Sequence, residues 1–241
     1  MNIIQIENIE STNTYLKELA HNQILEEGTV VTAHNQTKGK GQRGSSWESE
    51  AGKNITCSII LYPSFLSVKK YFLLSETVSL GVKETLNAYT NGISIKWPND
   101  IYYLDSKIGG ILIENEFIGN KYYFSIVGIG LNINQERFLS DAPNPVSLKN
   151  ITGMEYDIER ILKELAKNIL FRYQQLKEGD SENIIFMYHE TLYRKTGFYP
   201  YEDDNGMFHA RIDRVSDDGF LHLITNKNEE RSYAFKNVRT V

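Results

Sequence analysis

The sequence has little of what marks a secreted or membrane-embedded protein. Its 241 residues include a single cysteine, Cys57, so the chain cannot form an internal disulfide. It has no apolar run of the roughly 18 residues that a membrane-spanning helix needs, and Glu7 and Glu10 stand where a signal peptide would be basic. We therefore predict a cytoplasmic protein that does not bind membranes, in which Cys57 fills the core.

The sequence also has no excess of positive charge. Lys and Arg number 26 against 31 Asp and Glu, which gives a net charge of −5. Such a chain has no overall positive field to hold a nucleic acid backbone, so we expect no DNA partner. The C-terminal part carries the acidic residues Asp203, Asp204, Asp213, Asp217, Asp218, Glu229 and Glu230. These charges also argue against an RNA-binding adaptor.

Length and residue patterns predict one large domain followed by a small one. Capping residues Ser11, Ser67 and Asp157 each precede a segment with helical apolar spacing, and a shorter helix is predicted over residues 181–193. The apolar segments 108–118 and 122–131 flank Gly119 and Asn120, which predicts a hairpin and hence a partly antiparallel central sheet. Short strands at 208–212, 219–224 and 231–235 predict a small C-terminal β-barrel. The predicted domains are residues 1–194 and 195–241.

Residues 36–47 form a polar loop of sequence QTKGKGQRGSSW after a short apolar strand. Its glycines would let backbone N–H groups approach an anion, and Lys38, Lys40 and Arg43 would add positive charge. A glycine-rich hairpin tip without a ligand is the alternative. The loop does not fit the Walker A pattern, and it does not fit a Gly-x-Gly-x-x-Gly pattern that leads into a helix, which excludes the two commonest nucleotide loops.

Three further motifs place polar residues or glycines next to apolar strands. They are Lys-Trp-Pro-Asn-Asp at residues 96–100, Lys-Ile-Gly-Gly at residues 107–110 and Gly-Ile-Gly-Leu-Asn-Ile-Asn at residues 128–134. Lys107, at the start of an apolar strand, is either a site residue or part of an exposed turn with Asp105 and Ser106. The strand glycines either allow close approach of a ligand or mark a bulge.

Taken together with Ser11-Thr12-Asn13, these motifs resemble the biotin protein ligases, in the order found in that family. The resemblance implies an α/β (α+β) fold: a catalytic domain similar to class II aminoacyl-tRNA synthetases, with a mixed or antiparallel sheet and helices, and an SH3-like C-terminal β-barrel. It also implies that ATP activates biotin to biotinyl-5′-AMP with release of pyrophosphate. The biotin then passes to a lysine of a biotin carboxyl carrier protein. Biotin and ATP would be substrates, and Mg²⁺ would accompany the ATP.

The resemblance also implies roles for individual residues. Biotin would be bound by Ser11, Thr12, Asn13, Gln36, Gly39, Lys40, Gly41, Gln42, Lys107, Gly109 and Gly110. The nucleotide would be bound by Arg43, Trp47, Lys96, Asn99, Asp100, Lys107 and Asn132. Lys107, Arg43 and Lys40 would be catalytic, and Asp100 is the one candidate for a metal ligand. A lysine beside the reacting carboxylate and phosphate would stabilise the charge that accumulates in the transition state.

The sequence departs from the family pattern in two places. Gln42 stands where many members have arginine, although Arg43 follows it. The sequence also starts at the catalytic domain, without the winged helix of bifunctional relatives, so we expect no repressor activity. Two alternatives stay open: a lipoate ligase of the same superfamily and a non-catalytic biotin sensor. We expect a monomer or a homodimer.

Overall fold

The computed structural model describes residues 1–139 and 144–241, except for the side chain of Arg43. Its larger sheet has seven strands in the order β1-β2-β3-β7-β6-β5-β4. The strands are β1 Ile3–Ile9, β2 Val30–Gln36, β3 Ile55–Leu61, β4 Ile93–Lys96, β5 Asp100–Tyr103, β6 Ser106–Ile118 and β7 Lys121–Leu131. Strands β1 and β2 are parallel, and every other neighbouring pair is antiparallel. The mixed sheet is thus confirmed, as is the hairpin at Gly119 and Asn120.

Helices cover both faces of this sheet. They are α1 Thr12–Asn22, α2 Phe72–Asn87, α3 Leu148–Thr152, α4 Ile158–Lys177 and α5 Ser181–Glu190. On one face, α1 buries Leu16 against Val31 and Ile126 of the sheet. On the other face α2 and α4 cross closely, because a side chain at Gly81 would bring its Cβ within 2.8 Å of the Ile169 backbone. No helix in the described ranges is long and apolar enough to cross a membrane.

Two of the three predicted helix caps are confirmed. The Ser11 hydroxyl accepts from the Thr14 N–H at 3.5 Å, and Asp157 accepts from the Arg160 N–H at 3.1 Å. The prediction for Ser67 is wrong, because Ser67 caps a single 3₁₀ turn, Val68–Lys70, and α2 begins at Phe72. The Phe72 N–H instead donates to the Asp217 carbonyl at 3.3 Å, so a residue distant in sequence supplies the acceptor that a cap would provide.

A second, antiparallel sheet follows the last helix and has the strand order β11-β10-β9-β8-β12. Its strands are β8 Tyr199–Asp203, β9 Gly206–Val215, β10 Leu221–Thr225, β11 Glu230–Tyr233 and β12 Arg239–Thr240. The sequence patterns found β9, β10 and β11 but missed β8 and β12. Buried residues such as Tyr201, Ala210 and Leu223 join the same core cluster as α2 and α4, so this sheet packs directly on the larger unit.

Glu76 of α2 is a buried carboxyl whose titration should lower stability as the pH rises. Burial, aided by the negative charge of Asp217, raises the pKa of Glu76 from 4.5 to about 8. Between these values the folded protein keeps a proton that the unfolded chain releases. The free energy of unfolding should therefore fall with rising pH, by up to about 1.4 kcal/mol per pH unit. Glu76→Gln, which is neutral at every pH, should remove this decline.

The measurement is the free energy of unfolding of both proteins in urea at pH 5.5 and pH 8.5. The free energy of unfolding of Glu76→Gln, relative to that of the parent, should be higher at pH 8.5 than at pH 5.5. Glu182→Gln is the matched control, because Glu182 lies on the exposed surface of α5. An equal difference at the two pH values would show that Glu76 ionises normally in the folded protein.

Candidate functional site

One cleft of about 760 Å³ lies where the larger sheet, the loop of residues 36–47 and the small sheet meet. Most of the predicted site residues line it: Ser11, Thr12, Asn13, Gln36, Lys40, Gly41, Gln42, Trp47, Lys96, Asn99, Asp100, Lys107 and Gly110. These residues belong to four separate sequence motifs: residues 11–13, the loop of residues 36–47, residues 96–100 and residues 107–110. The fold therefore brings the separate sequence motifs to a single cavity.

Three predicted site residues do not line the cleft, and each shapes its wall from behind. A Cβ at Gly39 would lie 2.5 Å from the Trp47 carbonyl oxygen, and a Cβ at Gly109 would meet Leu131. Asn132 is buried, and its amide donates to the Val146 carbonyl at 3.1 Å. Direct contact of these residues with biotin or nucleotide stays a prediction, and the contacts that the structure shows for them are packing contacts and a hydrogen bond within the protein. The Arg43 side chain lies outside the described residues.

A network of hydrogen bonds closes one end of the cleft. The Thr12 backbone N–H and hydroxyl both donate to the Gln36 side-chain oxygen, at 2.9 and 3.1 Å. The Ser58 hydroxyl lies 2.8 Å from the Thr12 hydroxyl and 2.6 Å from the Asn13 side-chain oxygen, either of which can accept from it. This end of the cleft therefore presents fixed amide and hydroxyl groups.

Glu114 and Gly128 fix the position of the Asn13 amide. The Asn13 nitrogen donates to the Glu114 carboxylate at 2.8 Å and to the Leu112 carbonyl at 3.3 Å, which leaves the Asn13 oxygen as an acceptor. Gly128 passes directly beneath this amide, and a Cβ at residue 128 would overlap Asn13. The sequence analysis missed Ser58 and Glu114 as contributors. Glu114 lies four residues after the Lys-Ile-Gly-Gly motif on the same strand, which was the available signal, whereas Ser58 has none.

The glycine-rich loop folds back on itself above the cleft. The Gly41 N–H donates to the Ser45 carbonyl at 2.7 Å, and the Trp47 N–H donates to the Gly39 carbonyl at 2.9 Å. The Lys40 ammonium donates to the Thr14 hydroxyl at 2.8 Å. Lys38 instead pairs with Glu10 at 2.6 Å on the exposed surface. Of the described loop cations, Lys40 is therefore the one at the cleft.

The Trp47 indole lies against two strand glycines. A Cβ at Gly110 would lie 3.2 Å from the ring, and a Cβ at Gly130 would overlap it. Neither glycine marks a bulge, because the irregularities of β6 fall elsewhere in its pairing with β5 and β7. The paired-glycine motifs therefore create the space that the indole of the loop occupies. Trp47 packs in the cleft wall, with its ring centre 5.7 Å from the Lys107 ammonium.

Lys107 and Asp100 form an ion pair in the middle of the cleft. Their charged atoms are 2.6 Å apart, and each side chain is about one-quarter exposed. Asn99 anchors the preceding turn on β6, since its side-chain amide donates to the Ile111 carbonyl at 2.7 Å and its carbonyl accepts from the Ile111 N–H at 2.9 Å. The alternative that Lys107 lies in an exposed turn is thereby excluded, since Lys107 is a strand residue in the cleft wall.

Lys96 and Cys57 also line the cleft, and burial changes the pKa of each. The Lys96 ammonium donates to the Tyr102 hydroxyl at 3.1 Å, and burial lowers the pKa of Lys96. Burial raises the pKa of the Cys57 thiol to about 12, so this sulfur is not a nucleophile at neutral pH. The interpretation of Cys57 as a core residue is confirmed, since it is 1% exposed.

The small sheet forms the remaining wall, which the sequence analysis did not foresee. The Trp97 indole N–H donates to the Gly219 carbonyl at 2.9 Å, and its ring meets Phe235 edge-on at a centroid distance of 6.3 Å. Phe235, Lys236 and Arg239 all line the cleft. The turn that leads to Asp100 therefore contacts both sheets: Trp97 contacts the small sheet, and Asn99 bonds to β6 of the larger sheet.

This architecture defines a mixed-sheet α/β protein with one cleft that combines a closed polar end and a lysine–carboxylate pair. The sequence model of the Biotin/lipoate A/B protein ligase family matches residues 5–132. The chain belongs to this family.

Individual relatives agree with the family assignment. The Bifunctional ligase/repressor BirA of Bacillus subtilis is 28% identical over 234 residues, which cover 94% of this chain and 70% of that protein. The Biotin--[acetyl-CoA-carboxylase] ligase of Paracoccus denitrificans is 31% identical over 164 residues, which cover 65% of this chain and 67% of that protein. A biotin protein ligase structure from Aquifex aeolicus, in complex with biotin and ATP, superposes with a TM-score of 0.81 at 26% identity and covers 100% of this chain and 99% of the other.

Proposed function

We propose that the protein is a biotin protein ligase. It activates biotin with ATP to biotinyl-5′-AMP and pyrophosphate, then transfers biotin to a lysine of a biotin carboxyl carrier domain. The observation that carries the proposal is the closed polar end of the cleft, which leads directly to the Lys107–Asp100 pair. The names of the Paracoccus and Aquifex relatives support the same activity.

The closed end fits the ureido ring of biotin. That ring offers one carbonyl acceptor and two N–H donors, and the cleft offers Thr12, Asn13 and Gln36 as amide and hydroxyl partners. The apolar neighbours Ile111 and Ile129 would contact the sulfur-containing ring and the aliphatic chain. A lipoyl dithiolane ring has no hydrogen-bonding group, so lipoate could not use the hydrogen-bonding capacity that these groups keep beyond their bonds to one another. The site therefore favours biotin over lipoate.

Lys107 would act on the two anions that react. The biotin carboxylate oxygen forms a bond to the α-phosphorus while the bond from that phosphorus to pyrophosphate breaks, and the leaving electron pair stays on pyrophosphate. Lys107 would stabilise the negative charge that gathers between these groups. In the second step the amine of the acceptor lysine attacks the activated acyl carbon and AMP leaves. Arg43 and Lys40, at the loop, are proposed to assist the first step.

Asp100 fits the requirements of a Mg²⁺–ATP complex. Of the described residues that line the cleft, Asp100 is the only carboxylate. The described residues also contain no group of three potential metal ligands. Mg²⁺ commonly uses one or two protein carboxylates and takes its other ligands from phosphates and water. Asp100 would hold the ion, which supplies charge neutralisation on the phosphates.

The loop of residues 36–47 would protect the adenylate. Biotinyl-AMP is a mixed anhydride, so water must be kept from it until the acceptor lysine arrives. Trp47 already packs into the strand glycines, and Gly41 and Gln42 line the cleft beside it. We further propose that residues 1–194 form a catalytic domain like that of class II aminoacyl-tRNA synthetases and that residues 195–241 form an SH3-like domain.

The test combines purified protein with biotin, ATP and Mg²⁺, and follows pyrophosphate release together with biotinyl-AMP by mass spectrometry. Biotin-dependent formation of the adenylate is the expected result. The same assay with lipoate in place of biotin is the control for substrate class. Activity with lipoate alone would make the protein a lipoate ligase, and tight biotin binding without pyrophosphate release would make it a sensor.

A further inference from the structure

Lys236 has an unusual backbone conformation in the wall of the cleft. It lies between β11 and β12, directly after Phe235, whose ring contacts Trp97. Its φ is +74°, in the left-handed region that glycine adopts without cost. A residue with a Cβ loses roughly 1 kcal/mol in this region, so lysine is a destabilising choice for the backbone. Such strain persists where the side chain has a use.

The Lys236 ammonium differs from the other described cations of the cleft because it has no polar partner. Lys40 donates to Thr14, Lys96 to Tyr102, Lys107 pairs with Asp100, and Arg239 pairs with Glu202 at 2.6 Å. Within residues 1–139 and 144–241, the one interaction of the Lys236 ammonium is with the ring of Phe235, at 5.9 Å. Lys236 is therefore a cation available to an anionic ligand.

The position of Lys236 along the cleft identifies which anion it would meet. Biotin would enter the closed end at Thr12 and Gln36, so its carboxylate would point toward Lys107. In an in-line displacement at the α-phosphorus, pyrophosphate leaves on the side opposite the attacking oxygen. The turn from Trp97 to Asp100 carries the carboxylate proposed to hold the Mg²⁺ of ATP, and Phe235, the neighbour of Lys236, contacts Trp97 of this turn. We therefore expect the departing pyrophosphate on the side of this turn.

We propose that Lys236 binds the β- and γ-phosphates of ATP and stabilises the pyrophosphate as it leaves. This inference rests on the proposed biotin-activating function and gives the small sheet a direct part in the first half-reaction. The P–O bond that breaks leaves its electron pair on pyrophosphate, and the Lys236 ammonium would offset part of that charge. An acidic surface of the acceptor protein is the alternative partner for Lys236.

Lys236→Gly separates the charge of this residue from its structural role. Glycine accepts a φ of +74° without strain, so the melting temperature of the variant should equal or exceed that of the parent. Its KM for ATP should nevertheless rise about tenfold, as expected for loss of one charge-assisted contact. Inhibition by pyrophosphate should weaken by a similar factor. Affinity for biotinyl-AMP, which has no pyrophosphate group, should not change.

Two variants serve as controls. Lys236→Arg keeps the charge and should keep the KM for ATP near that of the parent. Asn228→Gly replaces another residue of positive φ, +63°, in an exposed turn outside the cleft, and should not alter the kinetics. An unchanged KM for ATP and unchanged pyrophosphate inhibition in Lys236→Gly would overturn the inference. A Lys236→Gly variant that forms biotinyl-AMP normally and is impaired only in biotin transfer to the carrier protein would also overturn the inference, and would point to acceptor docking. Failure of the unmodified protein to form biotinyl-AMP would instead overturn the proposed function itself.

Discussion

Lys107→Ala is expected to lower the rate of biotinyl-AMP formation by about 10² to 10³, with a smaller effect on biotin binding. Losses of this size follow removal of one positioned group that stabilises developing charge in a transition state. The change also leaves the Asp100 carboxylate, 2.6 Å from the lysine in the parent, without its cation near the incoming phosphates. Single-turnover measurement of adenylate formation, with saturating biotin and ATP, gives the rate directly.

Asp100→Asn separates the loss of the lysine charge from the effect of an unpaired carboxylate, because it removes the carboxylate and keeps Lys107. Lys121→Ala is the charge control, since Lys121 lies exposed at the start of β7 and outside the cleft. Adenylation near the parent rate in Lys107→Ala would remove Lys107 from the mechanism. A variant that makes the adenylate normally and fails only in transfer to the carrier would place Lys107 in the second half-reaction.

Gly128→Ala is expected to weaken biotin binding by about 10²-fold, because the added methyl group would occupy the position of the Asn13 amide. Asn13 would have to leave its hydrogen bonds to Ser58 and Glu114, at 2.6 and 2.8 Å. The polar end of the cleft would then lose its fixed geometry. Titration of biotin by calorimetry, alongside a thermal melt, measures both the binding and the folding consequences.

The double variant Gly128→Ala/Asn13→Ala tests the cause. Removal of the Asn13 amide frees the space that the new methyl group needs, so the double variant should regain stability relative to Gly128→Ala and still bind biotin weakly. If Gly128→Ala binds biotin as the parent does, Asn13 has an alternative position and its observed hydrogen bonds are not required for biotin recognition.

Much of the local structure followed from short-range patterns. Ser11 and Asp157 cap their helices as predicted, since a capping side chain needs only the backbone of the next three residues. Gly119 and Asn120 form the predicted hairpin, because a tight turn likewise depends only on residues that are adjacent in sequence. The prediction at Ser67 failed, because the start of α2 is set by a carbonyl of Asp217, about 150 residues later.

Strands were missed where their exposed faces are polar. Edge strand β1 has exposed polar residues at Gln5, Glu7 and Asn8, so it lacks the apolar run that marked β6 and β7. Strand β12 is only two residues long, too short for a periodic pattern to emerge. The parallel pairing of β1 with β2 could not be predicted either, because it depends on the path of α1 between them.

The sequence by itself determined which chemistry the protein carries, because that information lies in short motifs: the glycines and cations of residues 36–47, the Lys-Trp-Pro-Asn-Asp segment and Lys107 beside its two glycines. Only the tertiary structure decided how these residues meet. Asn13 contacts Ser58 and Glu114 across separations of 45 and 101 residues, and Trp47 fits above Gly130. The same applies to Phe235 and Lys236 at the cleft. Such contacts depend on strand order and sheet packing, which residues distant in sequence determine jointly and no local pattern encodes.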